Sequence, residues 1–115
     1  MGKAPAKGDV FAAIADPTRR RLLERLVVGE HSVADLTHGA GMTMAAVSLH
    51  LQVLWRAGLV SRRVAGRHRL YRLQPASLRT VTDWAETLSV FWDEKLDWLD
   101  ALAERMDAAA DRPDI

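Results

Sequence analysis

At 115 residues the chain has the length of one domain, and with 49% hydrophobic and 27% charged residues it has the composition of a folding one. It contains no cysteine, which excludes disulfides, thiol redox sensing, thiolate metal sites and a cysteine nucleophile. The net charge of +1 conceals an asymmetry: residues 1–75 carry 12 Lys/Arg against 5 Asp/Glu, and residues 76–115 carry 4 against 10. The N-terminal part is suited to a polyanion and the C-terminal part is not. No run of about 18 apolar residues occurs, so no membrane span is expected. The basic start MGKAPAKG has no apolar stretch behind it, so it does not read as a secretory leader, and a cytoplasmic protein is expected.

Residues 1–8 and 110–115 read as tails around one domain over 9–109. A short helix is expected over 9–15, with Val10, Phe11 and Ile14 on its apolar side. Asp16-Pro17 restarts the chain as N-cap and first helical residue, because proline's missing amide costs nothing there. The second helix, over 18–28, buries Leu22, Leu23, Leu26 and Val27. Arg19, Arg20, Arg21 and Arg25 lie along it and suit either phosphates or acids of the C-terminal helix. Gly29 ends it. Ser32 opens a third helix that runs to about His38, in a capping-box-like arrangement with Asp35. Gly39-Ala40-Gly41 follows as a flexible turn.

Thr43 is a good N-cap for the next helix, because its hydroxyl can accept from an amide of the first turn. Val47, Leu51 and Leu54 follow at i, i+4 and i+7 and form one apolar face. Gly58 stops the helix where a left-handed residue is needed. A short helix, a glycine turn and a second amphipathic helix make a helix-turn-helix over 32–58, whose second helix would enter a major groove. Residues 59–74 read as a β-hairpin turning at Ala65-Gly66. Arg62, Arg63, Arg67, Arg69 and Arg72 crowd it with His68, a density that suits phosphates or a minor groove. A basic edge strand that merely prevents aggregation is the alternative.

From Ala76 to about Ala109 there is no Pro or Gly, so one long helix is expected. Leu88, Trp92, Leu96 and Leu99 belong to an apolar stripe too large for one small domain to cover. A second copy of the chain is the simplest cover, packed on this stripe and on Val10, Phe11 and Ile14. A small-molecule pocket lined by the aromatics is the alternative.

The run Ser48, His50-Leu51, Leu54, Ala57-Gly58-Leu59-Val60 resembles the S-x-H-L-x-x-L-x-x-A-G-L-V signature of ArsR/SmtB-type winged helix-turn-helix regulators. Ala15-Asp16-Pro17-Thr18-Arg19 resembles the A-D-P-T-R opening of their second helix. The resemblance covers roughly residues 9–75. It implies a mainly α fold with a small β-hairpin as wing, a dimer formed through the N-terminal and long C-terminal helices, and repression at an inverted repeat of double-stranded DNA. On the reading helix it points to Thr43, Met44, Ala45, Ala46, Ser48, Leu49, His50 and Gln52, and on the wing to Arg62, Arg63, Arg67 and Arg69. His50 belongs to the motif, with a packing or phosphate-bonding role. In relatives the position of Met44 is often Gln and that of Leu49 often basic or polar. Here both are apolar, so bidentate readout of guanine or adenine is scarce on the helix and contacts to thymine methyls are favoured.

Sensing is the least legible part. One family metal site, E-L-C-V-C-D-L, is replaced here by Glu30-His31-Ser32-Val33-Ala34-Asp35-Leu36, with both cysteines gone. A second family site needs histidine in the C-terminal helix, and residues 76–115 have none. His31, Asp35 and His38 at i, i+4 and i+7 are a residual set for Ni, Zn or Co, if they share a helical face. Otherwise no cofactor is implied, and sensing belongs to a protein or small-molecule effector. A winged-helix module that binds protein instead of DNA is the competing class, and the wing arginines argue against it. An enzyme is not indicated: there is no glycine-rich phosphate loop, and the Ser, His and Asp residues form no catalytic motif.

Overall fold

The computed structural model describes residues 9–110; the two expected tails lie outside the described residues, except for Ala110. It divides into two compact units, Met1–Val81 and Thr82–Ile115.

The first unit begins with three short helices, each started by a side chain of the type that satisfies unpaired amides. In α1, Val10–Ile14, Asp9 accepts from Phe11 N at 2.9 Å. In α2, Pro17–Leu26, Asp16 accepts from Arg19 N at 3.0 Å, with Pro17 in the first turn. In α3, Val33–Thr37, Ser32 accepts from Asp35 N at 3.1 Å. α2 stops two residues before the expected end. The amides of Val27 and Gly29 bond three residues back, to Glu24 and Leu26, which tightens the last turn. Val27, expected in the buried stripe, is therefore 69% exposed.

α4, Met44–Arg56, is capped by Thr43, whose hydroxyl accepts from Ala46 N at 3.1 Å. Val47, Leu51 and Leu54 are fully buried, as their spacing predicts. The helix ends in a Schellman motif. Leu59 N donates to Leu54 O and Gly58 N to Trp55 O, both at 3.0 Å, with Gly58 at φ +77°. Leu54 and Leu59, the two apolar residues that flank such a motif, are both buried.

β2, Val60–Ala65, and β3, His68–Leu73, form the hairpin. Ala65 still pairs with His68, so the loop is Gly66-Arg67, one residue later than expected. Gly66 leads it at φ +62°, which a Cβ would disfavour. A third strand, β1, His31–Ser32, pairs with β3 and makes the sheet order β1-β3-β2. The wing is thus part of a three-stranded sheet. Two residues are too few to show alternation, and this strand is invisible to a periodicity argument. Val60 and Tyr71 face the core, with Leu22, Leu23, Leu26 and Leu36. Val10 and Ile14 pack half-buried against it, whereas Phe11 faces outward.

The last helix, α5, runs Pro75–Ala110, with proline at its start as α2 has. Its 36 residues correspond to about 54 Å. Leu78 joins the core of the first unit, and Ser77 Oγ donates to Gly58 O at 2.5 Å, which ties the start of α5 to the end of α4.

The second unit is the remainder of α5. By helical spacing most of its large apolar residues and several of its acids fall on opposite sides. Trp84, Leu88, Phe91, Trp92, Leu96, Trp98, Leu99 and Met106 lie along one side, every one of them exposed. Asp93, Glu86, Asp97, Asp100 and Glu104 lie along the other. No helix among the described residues is long and apolar enough to cross a membrane.

Candidate nucleic-acid interface

Two stretches of chain meet in an open cleft. One is the start of α3 and α4, contributing Ser32, Val33, Ala34, Met44, Ala45 and Ser48. The other is the hairpin tip, contributing Arg67, His68 and Arg69. The cap on Thr43 sets the first turn of α4 beside the wing. Along the rest of α4 the residues opposite the buried stripe face solvent: Leu49 is 65% exposed, Val53 40%, and Arg56 is exposed one turn beyond Gln52. Met44 is 52% exposed and Ala46 partly so. The reading face is therefore apolar along much of its length, with Ser48 and Gln52 as hydrogen-bonding groups and cations at both ends. Arg56 escaped the sequence reading. Its spacing of four from Gln52 and seven from Leu49 was the available signal.

His50 belongs elsewhere. Its Nδ1 lies 3.3 Å from Arg19 Nη1. A guanidinium only donates, so Nδ1 accepts and the ring proton sits on Nε2. Arg19 also donates to Ala13 O at 2.6 Å and Ala12 O at 3.2 Å. The two signature stretches, around Asp16 and around His50, thus touch in the fold, and their contact fastens α1 and α2 to the reading helix. Arg20 donates to Ile14 O and Ala15 O at 2.8 and 3.1 Å. Arg25 donates to Leu36 O, Asp35 O and His38 O at 2.8–3.2 Å. These side chains satisfy carbonyls at the ends of α1 and α3, where a cation is favoured. Arg21, the fourth arginine of the cluster, is exposed. Asp16 stands below the ordinary carboxylate pKa, chiefly because Arg19 N donates to it.

The wing arginines divide into three environments. Arg62 lies over the Trp55 ring, 3.5 Å from its centroid, as a cation–π contact between wing and α4. Arg63 Nε and Nη2 donate to the two carboxylate oxygens of Glu30 at 2.8 and 2.7 Å. This two-pronged bond holds Glu30 below the ordinary carboxylate pKa and raises that of Arg63. The guanidiniums of Arg67 and Arg69 are exposed and make no ion pair among the described residues.

The residual metal set does not share a helical face. His31 is in β1, Asp35 is in α3, and His38 is the C-cap of α3 in an extended conformation. His31 Nδ1 stands 4.0 Å from Asp35 Oδ2. Among the described residues no group of three or more His, Cys, Asp or Glu is placed to hold a metal ion.

Comparison with known proteins agrees with this geometry. Residues 14–63 match the family model described as a helix-turn-helix domain. The chain is 44% identical over 84 residues to the HTH-type transcriptional regulator Rv2034 of Mycobacterium tuberculosis, covering 69% of this chain and 78% of the relative. It is 32% identical over 76 residues to the transcriptional repressor SdpR of Bacillus subtilis, covering 66% and 84%. Among solved structures, a possible transcriptional regulator for arsenical resistance superposes with a TM-score of 0.67 at 41% identity, over 81% of this chain and 94% of that one. A homodimeric winged helix-turn-helix DNA-binding domain from Mycobacterium bovis, a possible ArsR-family regulator, superposes with a TM-score of 0.53 at 30% identity, over 75% and 77%. Signature, fold and relatives converge: the chain belongs to the ArsR family of winged helix-turn-helix transcriptional regulators.

Proposed function

We propose that this regulator acts as a homodimeric repressor on an inverted repeat, with α4 in the major groove and the wing tip on the flanking backbone or minor groove. The observation that carries the reading is the cleft in which the first turn of α4 meets Arg67, His68 and Arg69. The repressor among its relatives and the homodimeric neighbour support the finer points. A two-fold pair of reading helices addresses half-sites about 34–36 Å apart. The apolar face of α5 supplies the dimer surface: a soluble monomer does not keep Trp84, Phe91, Trp92 and Trp98 in water on one stripe. On α1, Phe11 is the exposed apolar residue, since Val10 and Ile14 pack on their own core. Cytoplasmic residence follows from the same role.

Selection of DNA from a random pool, followed by footprinting, tests this reading; a pool without two-fold repeats contradicts it. Sedimentation tests the dimer: Trp92→Asp should yield a monomer, and an unchanged mass would remove α5 from the interface. Specificity rests on Met44, Ala45, Ala46 and Leu49 packing against thymine methyls. Uracil in place of thymine in the selected site should then weaken binding, and equal affinity defeats that part of the reading.

A further inference from the structure

Glu30 sits immediately before β1, and Arg63 is on β2, the opposite edge of the sheet. Their bond therefore crosses over β3, where Arg72 adds a second positive charge near the same carboxylate. The fork geometry, two parallel N–H···O bonds at 2.7–2.8 Å, is the one in which a guanidinium takes a phosphate. While it is so held, Arg63 cannot offer the same pair of donors to a phosphate. The Arg63 side chain is 61% exposed, so water screens the pair and its contribution to the fold is small. Its larger effect is on charge available to a ligand. When a cation free in solution meets DNA, a condensed counterion is released. While Arg63 stays on Glu30 it neutralises no phosphate, and no counterion is released on its account.

We propose that Glu30 limits the affinity of the wing for DNA, withholding Arg63 from contact with the backbone. The inference rests on the wing being a DNA contact. Backbone contacts carry no sequence information, so the restraint acts on random and selected DNA alike.

The test is binding to a random duplex and to one selected from a random pool, each over a range of salt. Glu30→Gln keeps the side-chain shape and removes the charge. On random DNA it should steepen the slope of log affinity against log salt by about 0.9 and raise affinity roughly fivefold near physiological salt. The gain on the selected duplex should be of the same size, because a phosphate contact carries no sequence information. Arg63→Ala alone should leave the random-DNA slope unchanged, and the double variant should match it. An unchanged slope in Glu30→Gln, a gain confined to one of the two duplexes, or a slope flattened by Arg63→Ala alone each overturns the proposal. Arg67→Ala separates this from failure of the interface reading. If the unaltered protein binds and Arg67→Ala flattens its slope while Glu30→Gln does nothing, the role of Glu30 falls alone. If the unaltered protein shows no salt-dependent binding, both fall.

Discussion

On α2, Arg19, Arg20 and Arg25 donate to main-chain carbonyls and Arg21 is exposed, whereas on the wing Arg67 and Arg69 project into solvent without an ion-pair partner among the described residues. The two clusters look alike in the sequence, and both invite a phosphate reading. The difference lies in their surroundings. α1 and α3 are five residues each, so most of their carbonyls lack an intrahelical partner. A guanidinium with five donors is suited to satisfy several of them at once. The hairpin satisfies its own backbone across the strands and leaves Arg67 and Arg69 to the solvent. A basic cluster is therefore a candidate polyanion site only where the local backbone has no need of it.

Four experiments break or sharpen that contrast. Arg19→Ala removes two carbonyl bonds and the His50 contact and should cost roughly 1.5–3 kcal/mol in denaturant unfolding. Its salt dependence of DNA binding should stay as it was; a flattened slope would move Arg19 into the interface. Arg19→Lys should not restore stability, because an ammonium lacks the fork. Thr43→Ala removes the cap of the reading helix and should cost about 1 kcal/mol. It should also lower DNA affinity, because that first turn lines the cleft; unchanged binding would place the contacts further along α4. Arg67→Ala is the converse of Arg19→Ala. Unfolding should stay within about 0.5 kcal/mol, while the salt slope flattens by about 0.9 and affinity falls roughly fivefold.

The smallest effect is on acid stability. Asp16 and Glu30 both have lowered pKa values in the fold. A depressed carboxylate contributes stability that is present above its unfolded pKa and lost as pH falls through the folded one. Thermal melts should therefore decline from about pH 4 downward. Glu30→Gln should make that decline shallower, and a melt profile identical to that of the unaltered protein would show that the pair contributes nothing to the fold.

Much of the architecture was readable before any coordinates. Asp9, Asp16, Ser32 and Thr43 mark their helix starts, and Gly58 marks an end, because capping depends on atoms within three to five residues of each other. The spacing of Val47, Leu51 and Leu54 gives the buried face of α4 for the same reason. The reading was weaker where local rules underdetermine the outcome. Val27 fits the stripe of α2 but falls in a tightened last turn. β1 is two residues long and exists only because β3 offers it an edge. His31 was therefore placed at the margin of a helix and found in a strand.

Residue types and spacing single out α4 and the hairpin as the candidate interface, since the apolar period and the arginine density are written along the chain. They could not apportion the arginines. Arg19 meets His50 across 31 positions, and Arg63 meets Glu30 across 33. Such pairs arise only when packed elements bring distant side chains together, and no local pattern encodes them. The sequence thus determines which elements form and which face of each is apolar, because those depend on near neighbours. The tertiary structure decides which charges are consumed in holding the fold and which remain for DNA, because a charge is free or taken according to what stands beside it in space.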